Sequence, residues 1–440
     1  MKAFLLILML AMGQYGMGQM MTGQVGNSPG KKVVIADNRE ANRPMPDRER
    51  PMMERERPLG DSIRMVIDSS VALLREFAYH RDKPDWELVR QEAFDLARQA
   101  VRWEDLGPAM AHLFEAVDDH HGWLALRDTL LQWPRHEPPY LSPALKQEFA
   151  KGNRIVKNLL PGGIGYLRVP GMAAESSEYN RLAQRLMDSL CALQREGARK
   201  WIIDLRLNAG GTMLPMIAGL SPLLGNGAFL GYADNRGKVT GMTRLKDGKF
   251  SSPDGGVAEV VGADGRGARK KGARNTEGAG GSEGAGGTEE AGGAEEAGRS
   301  VGAGGSEGAG RSLGAGRTEE AGGGKEAGKG IENMEQAGVV ILTGHGTGSA
   351  GECVAVAFKG RPHTWFIGEP TAGYTTGNKG HVLVGGRVEI VIAESVLVDR
   401  RHRVYPRNLI PDEWVPGGED FSDYEQDKKI QAALRRLGKN

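Results

Sequence analysis

One stretch of this chain cannot contribute to any hydrophobic core, and it limits the fold of everything around it. From Thr276 to Lys329 a hexad repeats nine times, running from TEGAGG and SEGAGG through SVGAGG to GKEAGK. A hexapeptide period can build a parallel β-helix, but each turn must then place an apolar side chain inside. The aliphatic residues here are alanines, one valine and one leucine. That is too little burial to offset the entropy of ordering the backbone. The tract is therefore expected to be a low-complexity disordered insertion, residues 255–332, looped out between two elements of one core. It holds many of the 66 glycines, so the full 440 residues overstate the number of domains.

The N-terminus reads as a targeting segment. Lys2 precedes the apolar run Ala3 to Met12 and a small, polar stretch ending at Gln19. Residues 1–19 fit a signal peptide and are too short for a permanent span. No cysteine follows the run and no second long apolar stretch occurs. The expectation is an exported protein, periplasmic or secreted, with no membrane span in its mature form. Residues 20–58 are proline- and methionine-rich with dense mixed charge, as in Glu54-Arg55-Glu56-Arg57, and read as a disordered linker. A net charge of +1 gives no reason to expect a nucleic-acid partner. Cys191 and Cys353 both fall in expected helices and imply no disulfide framework.

The remaining pattern is α/β. Residues 59–125 are expected as an N-terminal helical subdomain, with Ile63, Val66, Ile67, Val71 and Leu74 on one stripe. It ends on Asp118-Asp119-His120-His121-Gly122-Trp123. Residues 155–440 carry strands at 163–169, 201–205, 339–342 and 364–367, with helices between them. Short strands are expected near 382–384, 388–392 and 396–398, and a C-terminal helix from near Asp420.

The strand Val339–Leu342 breaks into Gly344-His345-Gly346-Thr347-Gly348-Ser349-Ala350-Gly351 and then a helix. Three readings are open. Gly346, Gly348 and Gly351 fit a GxGxxG dinucleotide loop, with Glu369 about 20 residues on. Alternatively, Ser349 is a nucleophile, with the Ala350 N–H at the helix start available to an oxyanion. Thr347 departs from the strict GxSxG elbow, and the serine would need a base. In the third reading Ser349 only shapes the turn.

With the other segments added, the chain resembles the S41 serine peptidases, the family of C-terminal processing peptidases and the tricorn core protease. The markers are Asp119-His120-His121-Gly122-Trp123-Leu124, Gly165-Tyr166-Leu167, Asp204 to Gly211, Gly348 to Glu352, Gly368 to Gly373 and Ile410-Pro411-Asp412. The resemblance implies a ClpP/crotonase-like α/β core with the helical segment as a cap, acting on a peptide or protein without a cofactor or metal. It puts the nucleophile at Ser349 and the oxyanion donors at Gly210, adjacent Gly211 and Ala350. Processing peptidases carry a lysine where this chain has Tyr374. The tricorn-like branch uses a histidine, which falls on His121, with His120 the alternative. Imidazole suits the task, because it accepts a proton near neutral pH. No acid precedes Pro411-Asp412 at the place where tricorn-like enzymes put a supporting glutamate. About 40 residues separate His121 from Gly163, too few for a PDZ domain of roughly 80–100 residues. Two functions follow: a Ser-His peptidase, or an inactive protein of the same fold that holds a peptide or hydrophobic ligand.

Overall fold

The computed structural model describes residues 32–35, 60–126, 129–133, 140–262, 334–383 and 388–438. Residues 1–19, expected as a signal segment, nearly all of the expected linker 20–58 and the hexad tract lie outside these residues. A short strand, β1 (Lys32–Ile35), precedes the helices α1 (Asp61–Phe77), α2 (Trp86–Leu96) and α3 (Gly107–Ala116). The predicted stripe of α1 is buried along Ile63, Val66, Ile67, Val71 and Leu74. Asp85 starts α2 by accepting the N–H groups of Glu87 and Leu88 at 3.2 and 3.3 Å, which satisfies donors the helix itself leaves open.

The chain continues through β2 (Trp123–Leu126), β3 (Thr129–Gln132), α4 (Pro143–Ala150), β4 (Val156–Leu160), β5 (Ile164–Arg168), α5 (Tyr179–Arg195) and β6 (Lys200–Asp204). Next come α6 (Met213–Gly219), α7 (Ser221–Leu224), β7 (Leu230–Ala233), β8 (Val239–Met242), β9 (Arg244–Lys246), β10 (Lys249–Ser251) and β11 (Val257–Glu259). The last part holds β12 (Val339–Thr343), α8 (Ala350–Phe358), β13 (Thr364–Gly368), β14 (Thr376–Leu383), β15 (Val388–Asp399), β16 (Val404–Tyr405), β17 (Glu413–Trp414) and α9 (Lys428–Gly438).

Two large sheets carry this α/β fold. One has six strands in the order β17-β13-β12-β6-β5-β4 and is parallel from β17 to β5. Both its faces are covered, which explains the unbroken apolar runs of β6 and β12. Ile203 and Ile341 pack with Leu186 and Leu190 of α5 and Val354 of α8. Their strand neighbours Ile202, Val340 and Leu342 pack on Ile430 and Leu437 of α9. The second sheet has eight strands; its main path runs β1-β3-β2-β15-β7-β8, and β14 and β16 also pair with β15.

Several expectations are corrected. The linker assigned to 20–58 contains β1, which pairs in parallel with β3. The helical segment, expected at 59–125, shares its core with the second sheet through Leu124 of β2 and Ile390 and Ile392 of β15. The boundary at 255 falls too early, because β11 pairs with β10 and buries Ala258. β15 is a single strand where two were expected, since Glu394 and Ser395 interrupt the apolar alternation without ending the pairing. The last helix begins at Lys428, where Asp427 accepts the N–H groups of Lys429 and Ile430 at 3.0 Å. The segment between His121 and Gly163 is spent on β2, β3, α4 and β4.

Candidate active site

β6 and β12 are parallel neighbours, with Leu342 opposite Asp204. The loops that follow them therefore leave the sheet side by side at its carboxyl edge, where open α/β sheets place their ligands. Their approach is close enough to require glycine. A Cβ on Gly346 would lie 2.2 Å from the Arg206 carbonyl oxygen, and one on Gly351 would lie 2.3 Å from that of Asn208. The Gly348 N–H donates to the same Asn208 oxygen at 2.9 Å. Glycines that could have cradled a dinucleotide instead bring two loops together.

Ser349 caps the start of α8 with φ 51° and ψ −116°, a backbone that residues other than glycine rarely adopt. Its N–H donates to Glu352 Oε2 at 2.9 Å. Glu352 is fully buried and also accepts from the Thr371 hydroxyl and from the Gly373 N–H at 2.8 Å. Burial outweighs these donors and pushes its carboxyl up to about 7. Glu352 therefore ties the serine turn to the segment Thr371–Gly373. Cys353, also on the cleft wall, is a poor nucleophile: burial, with Glu352 beside it, pushes its thiol up to about 12.

The loop after β6 is anchored from below. Arg206 is fully buried and donates to Asp204 at 2.8 and 3.0 Å and to Asp427 at 2.7 Å. The Tyr166 hydroxyl donates to Asp204 at 2.6 Å. Above this network the Asn208 amide donates to the Pro170 carbonyl at 3.3 Å, and its Oδ1 accepts the Gly210 N–H at 3.1 Å. Gly211 has φ +107°, and a Cβ there would lie 2.3 Å from the Met172 carbonyl oxygen.

The histidines come from the turn between α3 and β2. Asp119 is buried and accepts the N–H groups of His121, Gly122 and Ala393 at 2.9, 2.7 and 2.8 Å. Burial raises its carboxyl above the ordinary aspartate range despite those bonds. Its part is to pin the histidine loop to β15. His120 turns to the Asp118 carboxylate at 3.1 Å. His121 instead places Nδ1 2.7 Å from Thr376 Oγ1, with its ring against Tyr374 at a centroid separation of 5.2 Å. The tyrosine in the lysine position thus packs the imidazole. Among the described residues no cluster of three His, Cys, Asp or Glu side chains could hold a metal ion.

Ser349, His121, Ala350 and Gly211 border one cleft of about 390 Å³. Trp123, Tyr179, Met213, Leu214 and Val391 supply much of its apolar wall. Gly210 and His120 are not among its lining residues. Thr376 and Asn378, which hold His121, were not singled out from the sequence. The only trace of them is a Thr-Gly-Asn step at the head of a strand.

A strained serine at a strand-to-helix turn, sharing a cleft with a histidine and glycine-loop amides, defines a serine-type hydrolase. The chain belongs to peptidase family S41, whose sequence profile matches residues 163–412. It is 20% identical over 330 residues to the nisin-resistance protein of Lactococcus lactis subsp. lactis, covering 75% of this chain and 76% of that one. Among solved structures it is similar to a lipoprotein from Streptococcus agalactiae, with TM-score 0.51, 15% identity, and coverage of 87% of this chain and 99% of that one. The photosystem II D1 C-terminal processing protease matches with TM-score 0.45 and 12% identity, covering 85% and 99% of the two chains. No helix among the described residues is long and apolar enough to cross a membrane.

Proposed function

We propose that this chain is an exported serine peptidase in which Ser349 attacks the substrate carbonyl and His121 takes, then returns, the proton. The observation that carries the reading is that these two side chains, from elements more than 200 residues apart, line one cleft. The oxyanion would be met by the N–H groups of Ala350 and Gly211. First-turn amides of a helix have no intrahelical acceptor, which favours Ala350. Gly211 is preferred to Gly210, whose N–H is already given to Asn208. The apolar wall suits a peptide with bulky uncharged side chains near the scissile bond. Export is supported by the sequence of residues 1–19 and by the likeness to a lipoprotein.

Hydrolysis of a peptide library by the wild-type chain, lost in Ser349→Ala and in His121→Ala with both variants folded, is the expected result. Nisin belongs in that library, given the name of the L. lactis relative. A serine-directed fluorophosphonate should label the wild type at Ser349. A protein that only binds peptides in this cleft would give no adduct and no hydrolysis, and that outcome would overturn the proposal.

A further inference from the structure

The hydrogen bonds around His121 state which of its ring nitrogens holds the proton. The Asn378 amide nitrogen donates to the His121 carbonyl oxygen at 2.9 Å. A carbonyl can only accept, so this bond fixes which end of the amide is nitrogen. Asn378 Oδ1 then faces Thr376 Oγ1 at 2.9 Å. An amide oxygen also only accepts, so the single hydroxyl proton of Thr376 must point at it. With its proton committed there, Thr376 Oγ1 can offer His121 only a lone pair. The imidazole nitrogen 2.7 Å away is therefore an N–H donor. A neutral imidazole protonated at Nδ1 carries its basic lone pair at Nε2.

We infer that Thr376 and Asn378 are positioning residues that hold His121 as the Nδ1–H tautomer through uncharged side chains. This rests on the reading of His121 as the base. The strand is built for the arrangement. Thr376 and Asn378 are two apart on β14 and so share a face. Between them Gly377 leaves no room for a side chain: a Cβ would lie 2.4 Å from Ser395 Oγ and 2.6 Å from the Tyr232 ring. A register shift at Gly377/Asn378 sets Asn378 opposite Ala393, the residue whose N–H Asp119 accepts. The paired strands β14 and β15 thus fix both the backbone of His121, through Asn378 on one and through Asp119 held by Ala393 on the other, and its ring, through Thr376.

A neutral partner has a chemical consequence. A carboxylate beside an imidazole favours the imidazolium and raises its pKa, whereas a hydroxyl orients the ring without that electrostatic pull. Among the described residues, titratable groups near the ring include Asp119 and His120 on its own loop and Tyr374 across its face. Cys353 and Asp254 are set farther round the cleft.

The test is kinetic, on the full chain with the best peptide found. Thr376→Val keeps the shape and removes the acceptor; kcat should fall about 10- to 100-fold with KM little changed. Thr376→Ser should restore most of that loss. Asn378→Asp should move the acidic limb of the kcat/KM profile upward by about half to one pH unit, as a carboxylate enters the chain of hydrogen bonds. Wild-type kcat in a folded Thr376→Val, or an unmoved profile in Asn378→Asp, would overturn the inference. If Thr376→Val does not fold, the Ser variant and the Asp profile decide it. Activity surviving in His121→Ala would instead refute the assignment of the base, and so the two failures are distinguishable.

Discussion

Glu352 gives the sharpest stability prediction, because burial and hydrogen bonding oppose each other there. Its carboxyl is pushed from an ordinary 4.5 to about 7. In the unfolded chain it titrates near 4.5, so between these values the native state binds more protons. Stability from this group is then fully present below about pH 4.5 and is lost as pH rises through 7. At about 1.4 kcal/mol for each tenfold change in proton affinity, the loss is roughly 3 kcal/mol. Asp119 shifts in the same direction, so the total pH dependence does not isolate Glu352. A difference against Glu352→Gln does, since the two carboxyls are not bonded partners. Gln cannot satisfy the site fully: wherever its NH₂ sits, it meets the Ser349 or the Gly373 N–H. Urea unfolding of both proteins from pH 4.5 to 8 should give a wild-type advantage that shrinks by roughly 3 kcal/mol across the range. An advantage that stays constant, or grows with pH, would refute the reasoning. Asp204, held at about 2 with burial offset by Arg206, changes stability only below this window.

Two further substitutions test how the loops are held. Gly351→Ala places a methyl 2.3 Å from backbone, so it should cost about 1–3 kcal/mol in urea unfolding and reduce fluorophosphonate labelling by shifting the serine turn. Arg206→Leu leaves Asp204 and Asp427 buried without their cation and should cost about 3–5 kcal/mol, read as a lower Tm. A Tm within a degree of wild type in either variant would count against the packing described.

What was legible in the sequence is what is encoded locally. Ser349 stands out because a strand, a run of glycines and a helix lie within twenty residues, and the strained turn needs all three. His121 was legible through a short run of residues, although the doubled histidine left two choices. Geometry separates them: His120 faces Asp118, and His121 faces the cleft. Thr376 and Asn378 were not legible. A threonine is ordinary in a strand and an asparagine near a strand's start reads as a turn residue, and their partner is more than 250 residues away. The strand at Lys32–Ile35 was hidden for a related reason. Three apolar residues after a pair of lysines show no periodicity, and their pairing with β3 is a tertiary fact.

The missing acid looked from the sequence like a mark of an inactive protein, since a histidine base without an orienting group is poorly positioned. The hydrogen bonds separate two tasks that a single carboxylate performs. Orientation needs only a well-placed acceptor, and Thr376 is one, held by Asn378 on the same strand. Stabilisation of an imidazolium is a separate task that needs negative charge, and Asp119 gives its carboxylate oxygens to three backbone N–H groups. An imidazole held through Nδ1–H in this way carries its basic lone pair at Nε2, the atom that would accept the proton of Ser349. The absence of the glutamate therefore bears on rate and pH dependence more than on whether Ser349 can react.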